Sequence, residues 1–168
     1  MHRGRLIPQY RGLHQRHLFP GMSITPFVVD ITQLVIETKA RTILDYGCGE
    51  GNQYTWERFH EAWGTKAPTM YDPAVPGLDQ PPMGTFDGVI CTDVLEHVPE
   101  DELDLVINDL INYSRMWAFV SVCCRLAKRK FDDGTNCHVT IKPMEWWEKK
   151  LGDRFVASNR RLVLRETP

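Results

Sequence analysis

Three alternating glycines, Gly47, Gly49 and Gly51, follow a short apolar run and precede a helical pattern in this 168-residue chain. Few folds need that arrangement. Glycines at a strand-to-helix turn let the backbone bend sharply and come close to a ligand, and the helix beyond offers unpaired N–H groups. The full stretch reads Leu44-Asp45-Tyr46-Gly47-Cys48-Gly49-Glu50-Gly51. A dinucleotide fingerprint requires G-x-G-x-x-G, and here the third glycine arrives one position early, with Asn52 in the fingerprint's place. The Gly-Lys-Ser/Thr ending of a phosphate-binding loop is also missing. The loop therefore argues for an α/β fold while arguing against NAD, FAD and nucleoside triphosphates.

The rest of the chain agrees with an α/β order. Thr25-Pro26 opens a helix over about 26–39, with Phe27, Ile31, Leu34 and Val35 on one face. Strands are predicted at Thr42–Tyr46, Ala67–Tyr71, Phe86–Thr92 and Met116–Cys123. A helix carrying Trp56, Phe59 and Trp63 ends at Gly64, and a second begins at Pro99 behind Glu100, Asp101 and Glu102. A third starts at Pro143, where neighbouring side chains diverge, so one of Trp146 and Trp147 is expected in the core and the other half exposed. Arg154–Ala157 and Leu162–Arg165, around Ser158-Asn159-Arg160, read as an antiparallel hairpin. The expectation is a Rossmann-like, mostly parallel sheet with helices on both faces and that hairpin at its end. Residues 73–85, rich in proline, are too few for a helix plus a strand, so the sheet is shortened there. Residues 1–22 show no strand or long helical pattern and form a basic arm or lid on a single domain of residues 23–168.

With the glycine loop, Asp72 after the second strand, and Phe86-Asp87-Gly88-Val89-Ile90-Cys91-Thr92-Asp93-Val94-Leu95-Glu96-His97-Val98, three motifs stand in order. This combination resembles the class I methyltransferases that use S-adenosylmethionine. The third motif is similar to that of the ubiquinone-biosynthesis-like members, and the broader pattern resembles small methyltransferases of phage and bacterial genomes. The resemblance spans about residues 42–122. It implies that Asp45, Tyr46, Gly47, Cys48, Gly49 and Gly51 cradle the cofactor, that Asp72 binds its ribose hydroxyls, and that Thr92, Asp93 and Val94 face its methionine part. Asp45 has a second reading, in which it orients the loop without touching ligand, and Asp72, ahead of Pro73, has one as a simple turn cap. His97 is either a base for the acceptor or a structural histidine ahead of a helix. His138, in the substrate-facing region after the fifth family strand, is either the other acceptor-side candidate or an ordinary loop histidine. Tyr10 and His14 could fold over as a lid, with Trp146 nearby. The shortened segment implies that Ala67–Tyr71 lies at or near a sheet edge and that Leu78 and Phe86 flank the adenine.

Absent motifs narrow the acceptor. Thr92-Asp93-Val94-Leu95 is not the Asn/Asp-Pro-Pro-aromatic motif of amino-methylating nucleic-acid enzymes, and no Pro-Cys pair exists for cytosine C5 chemistry, so base flipping is disfavoured. The expected acceptor is an oxygen or nitrogen of a small molecule or glycan. Two alternatives stay open: a cofactor-binding module without turnover, motivated by the shortened segment, and an RNA- or protein-directed enzyme, motivated by the basic arm. That arm holds His2, Arg3, Arg5, Arg11, His14, Arg16 and His17 and no acid, in a chain of net charge -2. Five cysteines, no C-x-x-C pair, no apolar leader and no long apolar run suggest reduced thiols in a cytoplasmic monomer or homodimer without a membrane contact. Cys123, Cys124, Cys137 and His138 lack the ligand spacing of a zinc site, so no metal is expected.

Overall fold

The computed structural model describes residues 4–168. Five strands form one sheet: β1 (Ile43–Tyr46), β2 (Thr69–Tyr71), β3 (Phe86–Thr92), β4 (Ser114–Val122) and β5 (Arg161–Glu166). Their spatial order is β2-β1-β3-β4-β5, and every neighbouring pair is parallel. The helices are α1 (Ile7–His14), α2 (Val28–Thr38), α3 (Asn52–Thr55), α4 (Phe59–Ala62), α5 (Leu103–Tyr113) and α6 (Met144–Ala157).

Side-chain alternation along the central strands explains the two layers. Trp117 and Phe119 of β4 face α2, packing with Ile31, Leu34, Val35 and Ile90. Ala118, Val120 and Val122 face the other way, onto Leu103, Ile107 and Leu110 of α5 and Trp147, Leu151 and Phe155 of α6. Such double burial is what an all-parallel sheet requires. Trp147 is fully buried while Trp146 is half-buried, as adjacent positions on a helix demand.

Three expectations are corrected. The C-terminal antiparallel hairpin does not exist: Arg154–Ala157 is the last turn of α6, and β5 runs parallel to β4. The cause is the stripe Trp147, Leu151, Phe155, whose spacing of four keeps Phe155 in the core as helix, leaving Val156 81% exposed. Second, the N-terminal segment contains α1. Pro8 sits in its first turn, where a missing N–H costs nothing, so proline marks the start of this helix and does not break it. Third, the helix expected through Trp63 is broken at Arg58, whose φ is 52°, and Trp56 is left 68% exposed.

The shortened middle is as the spacing implies. Residues 72–85 form turns and irregular chain, and β2 is the sheet edge. This loop carries the chain from β2 across β1 to β3, so the order reverses at β1. Open parallel sheets bind ligands outside the carboxyl ends of their strands at such a reversal. The glycine loop leaves β1 at that point. Among the described residues, no helix is long and apolar enough to cross a membrane.

Candidate active site

A cavity of about 410 Å³ lies above the carboxyl ends of β1, β2 and β3. Tyr46, Gly47, Gly49, Asp72, Thr92, Asp93, Val94, His97, Tyr10 and His14 all line it. The fold thus brings together ten side chains or backbones singled out in the sequence. Asp45, Cys48, Gly51, His138 and Trp146 are not among the lining residues. Leu78 and Phe86 do not line it either, and Phe86 is buried at the far, amino end of β3. Tyr71, Pro73 and Ala74 occupy the wall where those two were expected.

The glycine loop works differently from its first reading. Every amide from Gly47 to Tyr54 is already engaged. Gly47 and Cys48 donate to the Tyr71 carbonyl, Gly49 donates to Asp72, and Gly51 and Tyr54 close local turns on Cys48 and Gly51. Glu50, Asn52 and Gln53 donate to the carbonyls of Phe19, Pro20 and Gly21. The N-terminal segment has taken the place that a phosphate takes in a nucleotide loop, so the expected free N–H groups are absent. Gly49, at φ 58°, is needed for the same reason: a Cβ there would stand 2.8 Å from the Phe19 carbonyl oxygen. Gly51 lies outside the cavity, against the sulfur of Met70. A loop with no spare donors suits a ligand that brings no phosphate.

Asp45 sits beneath the loop and is 1% exposed. Its Oδ2 accepts from Gln53 Nε2 at 2.6 Å and from the Tyr54 hydroxyl at 2.8 Å, clamping α3 against β1. Burial pushes its pKa up to about 7. This is the loop-orienting arrangement, since Asp45 meets protein on every side.

Asp72 is the acid that faces the cavity. Its Oδ2 accepts from Gly49 N at 3.0 Å and its Oδ1 from Ala74 N at 2.9 Å, so each oxygen keeps a lone pair free. His14 Nε2 stands 3.9 Å from Oδ2. Burial raises the carboxyl pKa and lowers that of His14. A ligand hydroxyl donating to Asp72 would replace the water this carboxylate lost.

The opposite wall is formed by α1 and the loop after β4. The Tyr10 hydroxyl donates to the Cys137 carbonyl at 2.7 Å and lies 3.0 Å from His97 Nδ1. His97 Nδ1 is itself 3.1 Å from the Cys137 carbonyl, which only an N–H can approach favourably. Its Nε2 then carries the lone pair. Burial, and after it the neighbouring His138, push the His97 pKa down to about 4, so the ring is neutral near pH 7. Leu13, Phe131 and Cys137 form a small apolar cluster behind this wall. The arm's described arginines are spent on acids of the same chain, Arg5 on Asp101, Arg11 on Asp79 and Arg16 on Asp132, and His17 Nδ1 lies 2.8 Å from a Glu50 oxygen. His2 and Arg3 lie outside the described residues.

Sequence spacing missed one grouping. Asp93, Glu96, Cys123 and His138 bring four ligand-type atoms within 4.8 Å of one another beside the cavity. Two come from the β3 end and its following turn, one from the β4 end and one from a distant loop, so no linear motif announces them.

Residues 16–139 match the family model of the methyltransferase domain. No curated protein and no solved structure matches the chain. With the match covering most of the sequence, the all-parallel sheet and the cavity at its switch point, this chain belongs to the methyltransferase-domain family. It is a class I methyltransferase, a family whose members use S-adenosylmethionine.

Proposed function

We propose that this chain transfers a methyl group from S-adenosylmethionine to an oxygen or nitrogen of a small molecule or glycan. One observation carries the reading: a single cavity joins Asp72, with a free lone pair on each oxygen, to Tyr10 and the neutral His97 on the facing wall. The residues fit the cofactor. Asp72 can accept from ribose hydroxyls, and Tyr71, Pro73 and Ala74 offer a largely apolar wall to an adenine. The cofactor, when bound, supplies an electrophilic methyl on a sulfonium. Alignment matters most for such a transfer, and Tyr46, Gly47 and Val94 restrict the space beside the reacting centre. His97, neutral near pH 7, can accept a hydrogen bond at Nε2 from an acceptor hydroxyl or amine and so orient it. That role needs no proton uptake by a group whose pKa is about 4.

The cavity, at about 410 Å³, falls within the roughly 300–1,000 Å³ of small-molecule sites and suits the cofactor itself. A small acceptor is favoured by the arm, whose described arginines bind acids of this chain and leave no basic face on α1 for a polyanion. Calorimetry with S-adenosylmethionine tests the cofactor, and transfer of radiolabelled methyl into separate pools of small molecules, glycans, RNA and protein tests the acceptor. Label confined to RNA or protein would overturn the acceptor class. Binding without transfer into any pool would favour the second reading, a binding module without turnover. That reading has its own observation: residues 72–85 supply no helix or strand to wall the cavity beyond β2.

A further inference from the structure

We propose that Asp93, Glu96, Cys123 and His138 bind one divalent cation of the zinc class at the acceptor end of the cavity. Their four ligand-type atoms lie within 4.8 Å of one another. Four donors around a tetrahedral zinc stand roughly 3.3–3.8 Å apart, so small side-chain shifts close the site.

Two independent features point to a ligand. Glu96 is fully buried, and while its Oε1 accepts from Cys123 N at 2.6 Å, its Oε2 meets no donor, the side chain beside it being the carboxylate of Asp93. A buried carboxylate oxygen without a donor is costly, and a cation satisfies it. His138 Nδ1 stands 2.6 Å from the Arg125 carbonyl oxygen, which requires the hydrogen on Nδ1 and leaves the lone pair on Nε2. Metal-binding histidines are oriented by this kind of outer hydrogen bond. The backbone is arranged to hold the set. The Glu96 carbonyl accepts from Val139 and Thr140, tying the turn after β3 to the His138 loop. Asp93 adopts φ 60°, which a non-glycine residue keeps only when its surroundings demand it, and its amide donates to Ser121.

One thiol, one imidazole and two carboxylates select a borderline cation and disfavour magnesium and calcium, which require oxygen ligands. Asp93 is the member that lines the cavity, so the ion would stand where an acceptor oxygen could reach it. The proposal does not depend on methyl transfer, and its test reads no activity.

Chelator-treated protein is titrated with Zn²⁺ against a chromophoric competitor, and with Co²⁺ while the near-ultraviolet thiolate charge-transfer band is followed. The expected result is one equivalent bound, a raised Tm, and a Co²⁺–thiolate band that disappears in Cys123→Ser. Affinity should fall at least tenfold in His138→Ala and in Glu96→Gln, and stay unchanged in Cys124→Ser. Circular dichroism establishes that each variant is folded. If Glu96→Gln fails to fold, Cys123→Ser and His138→Ala carry the test. Absence of stoichiometric Zn²⁺ or Co²⁺ binding, or binding that survives both Cys123→Ser and His138→Ala, overturns the proposal. A proton shared between Asp93 and Glu96 would then satisfy the buried oxygen instead.

Discussion

The floor and the cap of the cavity are held by different kinds of interaction. The floor is backbone on backbone: the glycine loop gives all its amides to Tyr71, to Asp72, to Phe19–Gly21 and to its own turns. Below it, Asp45 locks α3 in place through two buried hydrogen bonds. The cap, made of α1 and residues 125–139, rests on a small apolar cluster around Leu13, Phe131 and Cys137, on a few hydrogen bonds such as Tyr10 to the Cys137 carbonyl and Val139 to the Glu96 carbonyl, and on ion pairs that are largely in water. Removing any floor contact strands a buried donor or acceptor, whereas removing a cap ion pair returns two charges to solvent. The floor should therefore be rigid and the cap should be the part that opens for substrate.

The largest effect should come from Gly49→Val. Its φ of 58° is strained for a β-branched residue, and its Cβ would press on the Phe19 carbonyl oxygen at 2.8 Å. Strain and overpacking together predict a loss of roughly 2–6 kcal/mol in folding stability. Denaturant unfolding measures it. A variant that loses cofactor affinity at wild-type stability would return the glycine to a purely ligand-facing role and erase the contrast with the cap.

Asp45→Asn probes the floor through pH. The folded pKa of about 7 lies above the ordinary aspartate value, so the folded protein holds a proton that the unfolded chain has released. Wild-type stability from this group is full below the unfolded pKa and is lost as pH rises toward 7. The asparagine variant has no such slope, so it should gain on wild type by up to about 1.4 kcal/mol per pH unit across that window, then level off. Unfolding curves at pH 4 to 8 decide it. A constant difference across the range would mean that Asp45 stays ionised in the fold.

Asp72→Ala tests the one floor acid with spare acceptor capacity. It should weaken S-adenosylmethionine binding by roughly 1–3 kcal/mol, the scale of hydrogen bonds to a charged group. Calorimetry on a variant shown to be folded measures this, and unchanged affinity would remove Asp72 from the cofactor site.

The legibility of these two regions in the sequence differs for the same reason. Elements that follow from local chemistry were readable: β3 at Phe86–Thr92 from an apolar run, the split of Trp146 and Trp147 into one buried and one half-buried side chain from helical geometry, though not which is which, and the edge position of β2 from the shortness of residues 73–85. The loop's engaged amides were not readable, because their acceptors in Phe19–Gly21 lie some thirty positions upstream in an irregular segment. The cap was the least legible. Pro8 and Gly12 blunt the helical pattern of α1, and its apolar residues find partners only in a distant loop. The C-terminal strand misled because Phe155 and Val156 carry β propensity, and burial of Phe155 with Trp147 and Leu151 overrides it. Asp93, Glu96, Cys123 and His138 converge from three segments, which a spacing rule applied to Cys123, Cys124, Cys137 and His138 could not detect.

The smallest effect separates floor from cap most directly. Arg16 and Asp132 pair at 3.0 Å between the end of α1 and the 125–139 loop, with side chains 49% and 85% exposed. Such pairs contribute at most about 1 kcal/mol, and salt screens them. Arg16→Ala should leave global unfolding within that margin. Hydrogen exchange at the α1 amides should speed up by a few-fold, up to about fivefold for 1 kcal/mol, while exchange in β1 and β3 stays unchanged. Raising salt in the wild type should move α1 exchange in the same direction, because other pairs of this segment, Arg5–Asp101 and Arg11–Asp79, are exposed or partly exposed as well. Equal acceleration in α1 and β1 would mean that cap and floor open as one cooperative unit, and the cap would then have no separate motion with which to admit an acceptor.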